Sequence, residues 1–306
     1  MNTTTAEKRA QFQAFIQQLL VPDTAVQGVV AIGSLATGQM SPQSDIDAIL
    51  FLDPFDYFVA PAEAIWYPPQ NTFHSIFTAD QTIQRDGLAL DFVRLDWSQW
   101  AAPEFAWPEG RRAELRAGWI AFDRNGRITP TIAQHTAYPD TLRLSRLDQA
   151  LIGLDQHLAP GTPEANWPRL GPLIAHDRLE AAYDNLVAAL FAVNWQWRVW
   201  RNREMTALLQ LPWQPPHFTD RLLLAANAPG LDYDGYMTRT ANLRSLMSDL
   251  LTYLIDNGDY SHAPIDQAFM RQHDEPGRAW NMTEWNKLHM VRQMTLTGAN
   301  DSDSLI

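Results

Sequence analysis

The stretch Ser44-Asp45-Ile46-Asp47-Ala48-Ile49-Leu50-Phe51-Leu52 constrains this chain more than any other. From Ile46 onward it has the unbroken apolar character of a buried strand, yet two carboxylates stand at its entrance. Taking a charged group out of water is costly unless something compensates it, and two close together are worse. Successive side chains of a strand point to opposite faces, so Asp45 and Asp47 project together and Ile46 the other way. Such a pair repels itself unless a cation lies between its members. A hard divalent cation such as Mg2+ takes oxygen ligands of this kind and keeps several waters or phosphate oxygens besides. The plainer alternative is a pair of solvated carboxylates on an edge strand.

A second feature sits just upstream. The apolar run 27–32, "QGVVAI", predicts a strand, and Gly33-Ser34 breaks it before a helical turn over 35–39. Glycine lets a backbone approach a ligand closely, and the N–H groups of a helix start favour an anion. The Ser34 hydroxyl adds a donor. A phosphate at Gly33-Ser34 beside a metal held by Asp45 and Asp47 describes a site for a nucleoside triphosphate. Alone, the Gly-Ser turn is only a strand-ending turn.

Together these residues, "GSLATGQMSPQSDIDAILFL", resemble the signature of the DNA polymerase β-like nucleotidyltransferase superfamily: Gly33, Ser34, Gly38, Ser44, Asp45 and Asp47 all match its pattern. Within it the chain looks most like the bacterial nucleotidyltransferases that modify aminoglycosides and lincosamides. The resemblance implies a third carboxylate on a neighbouring strand. Asp91 in "LALDFVRL" matches best, ahead of Asp86 and Asp96 at the ends of that run. It implies Asp45, Asp47 and Asp91 as catalytic and metal-holding residues, Asp91 serving as metal ligand, general base or both, and Gly33, Ser34 and Ser44 as nucleotide-binding residues. The implied cofactors are two Mg2+ ions with ATP as nucleotide donor. More loosely, "NWQWRVWRNREMTALLQLPW" resembles a helical module appended to some nucleotidyltransferases. Arg198 and Arg201 would there neutralise triphosphate charge. The tryptophans interleaved with them serve core packing or base stacking.

The remaining pattern predicts an α+β chain. Residues 1–130 read as a small mixed-sheet nucleotidyltransferase domain, and residues 131–306 as an α-helical domain. Strands are expected at 27–32, 45–52, 73–77, 88–95 and 118–122, with long loops at 53–72 and 97–109. Residues 1–20 predict a helix capped by Thr4 or Thr5. Helices follow at 141–158, 172–200, 217–227 and 236–257, and "DSDSLI" forms a frayed acidic end. His74 is expected to be structural.

The 306 residues include no cysteine, which excludes disulfides, cysteine-ligated zinc and thiol catalysis. No apolar run reaches membrane-spanning length and no leader-like start is present, so the expectation is a cytoplasmic protein without a membrane partner. A formal net charge of -12 repels a long polyanion and argues against a nucleic acid polymer as substrate. The same acidity suits a small hydroxylated acceptor bearing amino groups, such as an antibiotic. Trp66, Trp97, Trp100 and Trp107 are expected to stack on its sugar rings. The alternatives are a nucleotidyltransferase acting on a protein or RNA partner, and a catalytically silent nucleotide-binding module.

Overall fold

The computed structural model describes residues 1–273 and divides the chain into two compact units. The first is Met1–Ala137 with Trp197–Arg201. The second is Tyr138–Gln196 with the described chain from Asn202. The expected end "DSDSLI" lies outside the described residues.

The first unit opens with helix α1 (Thr3–Phe15), whose N-cap is Asn2: its side chain accepts from the Thr5 N–H at 2.8 Å. The expected caps, Thr4 and Thr5, lie inside the helix, because an asparagine earlier in the chain already satisfies the first N–H groups. A π-helical turn (Ile16–Leu20) ends the segment. Then come β1 (Val26–Ala31), α2 (Gly33–Thr37), β2 (Ile46–Leu52), β3 (Glu63–Tyr67), β4 (Thr72–His74), α3 (Gln81–Asp86), β5 (Leu88–Asp96), α4 (Trp97–Trp100), α5 (Glu109–Ala117), β6 (Trp119–Asp123) and α6 (Ile128–His135).

The strands form one six-stranded sheet in the order β4-β3-β5-β2-β1-β6. Only β2 and β5 run parallel; the other neighbours are antiparallel. Its central strands are buried on both faces, which is why they read as continuous apolar runs rather than alternating ones. Ile46, Ala48, Leu50 and Leu52 share a core with Phe12, Phe15 and Ile16 of the N-terminal helical segment. Ile49 and Phe51 face the other way, into a core with Trp97, Trp100, Trp107, Leu115, Ile128 and Ile132.

Two expectations change here. The stretch 53–72, expected as loop, contains β3, and the strand expected at 73–77 is the short β4. The pair is a hairpin, Tyr67 opposite Thr72, turned by Pro68 to Asn71 with Asn71 at φ 49°. Prolines on both sides of a five-residue strand hide it in the sequence. The second change concerns the aromatics. Trp66, Trp97, Trp100 and Trp107 are not available to stack on an acceptor, since they are 1, 4, 8 and 4 % exposed and fill the two cores. Their large apolar area makes the interior the better place for them.

The second unit is helical: α7 (Asp140–Leu158), α8 (Thr162–Val193), α9 (Arg201–Leu208, its first residue in the first unit), α10 (Phe218–Ala226), α11 (Tyr233–Asp256) and α12 (Pro264–His273). α7 packs on α8 and α12, and α11 on α8 and α10. α8 is broken at Gly171, φ 79°, between Pro168 and Pro172. It ends at Val193 rather than near residue 200. The Asn194 side chain donates to Leu190 O at 2.8 Å and Trp213 O at 3.0 Å, and accepts from the Trp213 N–H at 2.7 Å, so it terminates the helix. Buried Asp148 accepts from the Tyr260 hydroxyl at 2.6 Å and from Arg271 at 2.7 and 2.9 Å, tying α7 to α12.

Leu50, fully buried in the middle of β2, tests the first core. Leu50→Ala should lower stability by about 2–5 kcal/mol in urea unfolding followed by circular dichroism.

Candidate active site

Gly33 has φ 60°, in the left-handed region that a side chain resists, and Gly38 closes α2 at φ 80°. Ser34 lies in the first turn of this five-residue helix. The loop that follows is braced by Ser44, whose hydroxyl accepts from the Ser41 N–H at 3.0 Å and lies 2.9 Å from the Ser41 hydroxyl. Asp45, exposed, stands one residue before β2, and Asp47, partly buried, is its second residue.

The parallel register of β2 and β5 places Asp47 opposite Asp91. The antiparallel register of β3 and β5 places Glu63 opposite the same Asp91. Register partners share a face, and adjacent strands run about 4.8 Å apart, so Asp47, Asp91 and Glu63 form a row across three strands. Burial, followed by Glu63 and Asp45, pushes the Asp91 carboxyl above the usual carboxylate range. Lys8 of α1 donates to Ser44 O. Burial pulls its ammonium below the ordinary value, against the opposing influence of Asp45.

The structure therefore brings Asp45, Asp47 and Asp91 together on the two central strands, at the start of β2. The rivals of Asp91 have ordinary work: exposed Asp86 pairs with Arg85 at 2.8 Å, and Asp96 caps α4 through the Ser98 N–H at 2.9 Å. His74 lies on the outermost strand, 2.9 Å from the Thr72 hydroxyl. Glu63 and Lys8 were missed by sequence reasoning. A glutamate opening "EAIWY" was the available signal for the first; nothing local marks the second.

Arg198 and Arg201 belong to the returning segment Trp197–Arg201 of the first unit. The Arg198 N–H donates to Glu109 Oε1 at 2.8 Å. The Trp197 indole donates to Thr136 O at 2.8 Å, beneath the Arg112 guanidinium at 4.7 Å. A Cβ on Gly110 would come within 2.4 Å of the Trp200 ring, so the segment lies tightly on α5. α5 in turn touches α2. Trp197 is 5 % exposed, whereas Trp195 and Trp200 are 43 and 38 % exposed.

The row itself offers carboxylate oxygens, the chemistry that suits a hard divalent cation. Among the described residues, no group of three or more His, Cys, Asp or Glu side chains stands at metal-ligating spacing. The raised Asp91 pKa has a consequence in metal-free protein. A carboxyl whose pKa is raised on folding stabilises the fold while protonated, and that contribution is lost as pH rises through the folded value. Asp91→Asn keeps the neutral form at every pH. With chelator present, it should melt higher than the parent at pH 7, and the gap should close as pH falls from the raised folded value to the ordinary carboxylate value, measured by scanning calorimetry.

Residues 10–88 match the family model described as "Nucleotidyltransferase domain". No curated protein matches the chain. Among solved structures, a nucleotidyltransferase-like protein from Exiguobacterium sibiricum 255-15 is similar at 14% identity and a TM-score of 0.38, over 87% of this chain and 81% of that one. No helix among the described residues is long and apolar enough to cross a membrane. Residues 10–88, within the first unit, carry a nucleotidyltransferase domain.

Proposed function

We propose that the chain transfers a nucleoside monophosphate from a nucleoside triphosphate, ATP by default, to a hydroxyl of a small acceptor. One observation carries this reading: the parallel register that sets Asp91 beside Asp47, with Asp45 flanking them, next to a Gly33 whose backbone only glycine adopts easily.

The acceptor oxygen attacks the α-phosphorus. The bond from that phosphorus to the bridging oxygen breaks, and pyrophosphate leaves. Asp91 receives the hydroxyl proton, a role its place beside Asp47 allows. Asp45, Asp47 and Asp91 would hold Mg2+, in two positions, with phosphate oxygens and water completing the ligand sets. Bound Mg2+ supplies charge neutralisation and orientation of the phosphates. Gly33 and Ser34 hold phosphate, and Ser44 keeps the intervening loop in shape. Arg198 and Arg201, on the segment braced by α5, offer further positive charge to the triphosphate.

The acceptor is a small hydroxylated molecule. An aminoglycoside-like antibiotic fits the acidic chain, although the four buried tryptophans no longer speak for it. A cytoplasmic location accords with this chemistry.

Pyrophosphate release with Mg2+ and each ribonucleoside triphosphate, across aminoglycosides, lincosamides and amino sugars, tests the reading. Turnover with at least one pair is expected, and Asp47→Asn should reduce it to background while circular dichroism is unchanged. Gly33→Val, which forces a β-branched residue to φ 60°, should abolish the thermal shift produced by Mg2+ and nucleotide. Full activity in Asp47→Asn would end the metal assignment. A nucleotide that binds but is never transferred would leave the silent-module alternative, and transfer only to a protein or RNA would move the acceptor.

A further inference from the structure

The first turns of α1 do something the family match does not cover, since that match begins at residue 10. Asn2, Thr5, Lys8 and Arg9 all reach from one side of the helix to the chain between Gly33 and Asp45, at the spacing that puts side chains on a common face. The Asn2 N–H donates to Gly38 O at 3.4 Å and its side-chain amide to Met40 O at 3.0 Å. The Thr5 hydroxyl donates to Asn2 Oδ1 at 2.8 Å and accepts from the Met40 N–H at 3.0 Å. Arg9 donates from Nε (3.1 Å) and Nη2 (2.8 Å) to Leu35 O, and from Nη2 to Ala36 O at 2.8 Å. Its guanidinium also lies 4.7 Å from the centre of the Trp119 ring. Lys8 donates to Ser44 O, the carbonyl immediately before Asp45.

A five-residue helix cannot hold its own shape in water, because so short a segment scarcely repays its nucleation. The segment 33–45 also lacks the continuous ladder of a strand. Its conformation is therefore set largely from outside, by these four side chains together with the burial of Leu35 and Met40 and the Ser41–Ser44 brace. Farther along, α1 buries Phe12 and Phe15 in the core, which fixes the clamp to the sheet that bears Asp47 and Asp91.

We propose that Lys8 and Arg9 are positioning residues of the nucleotide site, fixing the Gly33-Ser34 turn and Asp45 in one geometry relative to Asp47 and Asp91. This rests on the nucleotidyl-transfer reading above. Arg9 governs the phosphate end through the Leu35 and Ala36 carbonyls, and Lys8 the carboxylate end through Ser44. The rigid fork of Arg9, stacked on Trp119, is not replaceable by lysine. Lys8 offers one donor and one charge, which arginine also provides.

The test uses the full chain and calorimetric titration with Mg2+ and each of the four ribonucleoside triphosphates, at a temperature well below each variant's own melting midpoint. Arg9→Met and Arg9→Lys should both bind at least about tenfold more weakly than the parent, as supporting residues of metal and phosphate sites commonly do. Lys8→Met should lose a similar factor, and Lys8→Arg should recover to within about twofold. That rescue pattern is not expected of a general loss of stability. If Arg9→Met fails to fold, Asn2→Ala, at the exposed helix start, replaces it under the same criterion. Parent-like binding by folded Arg9→Met and Lys8→Met, with the parent binding normally, overturns the clamp alone. A parent that binds none of the four overturns the nucleotide reading and the clamp with it.

Discussion

Three carboxylates at one level of a β-sheet repel one another, and much of the first unit is arranged around that repulsion. Asp47, Asp91 and Glu63 sit on adjacent strands in register, with Asp45 just beyond the end of β2. The apolar bulk of β2 anchors the row, since the residues after Asp47 are buried on both faces and cannot slip without exposing a core. A one-residue shift of β5 against β2 would take Asp91 to the opposite face. The cost of the row is carried by the protein as a stressed carboxyl at Asp91. Functional sites commonly concentrate such perturbed groups, and here the perturbation comes first from burial and then from Glu63 and Asp45.

The parts legible in the sequence are those whose information is local. Long apolar runs announced β1, β2 and β5. The Gly33-Ser34 turn and the Asp-x-Asp spacing announced what stands between and at the end of the first two. Alternation within "LALDFVRL" picked the face of Asp91, but only the parallel pairing of β2 with β5 could say that it lies opposite Asp47. Glu63 was hidden because the strand it opens is five residues long and surrounded by prolines. Lys8 was hidden because its role depends on a carbonyl 36 residues away.

The tryptophans show why composition is a poor guide to ligands. Four aromatic residues in segments expected as loops suggested a stacking surface, yet the sheet has two faces to cover and large rings cover them best. Trp107 makes this plain: its indole donates to Trp100 O at 3.0 Å and its ring stacks on His135 at 4.5 Å, so both its polar tip and its flat face are used inside the protein. Likewise the apolar spacing of Trp195, Trp197 and Trp200 suggested a continued helix, whereas Asn194 ends α8 and releases those rings to separate surroundings.

The return of Trp197–Arg201 bears on where this chain can be divided. The ring of Trp200 leaves no room for a side chain at Gly110, and Trp197 closes over Arg112 and the carbonyl of Thr136. These contacts complete α5 with residues encoded far downstream of it. A fragment cut after residue 137 would hold every strand of the sheet and yet be an unfinished object, with a stripped helix where five residues from the distant part of the chain belong. Spatial unit and contiguous gene segment are different things in this protein, and a recombinant boundary drawn from the sequence alone would fall in the wrong place.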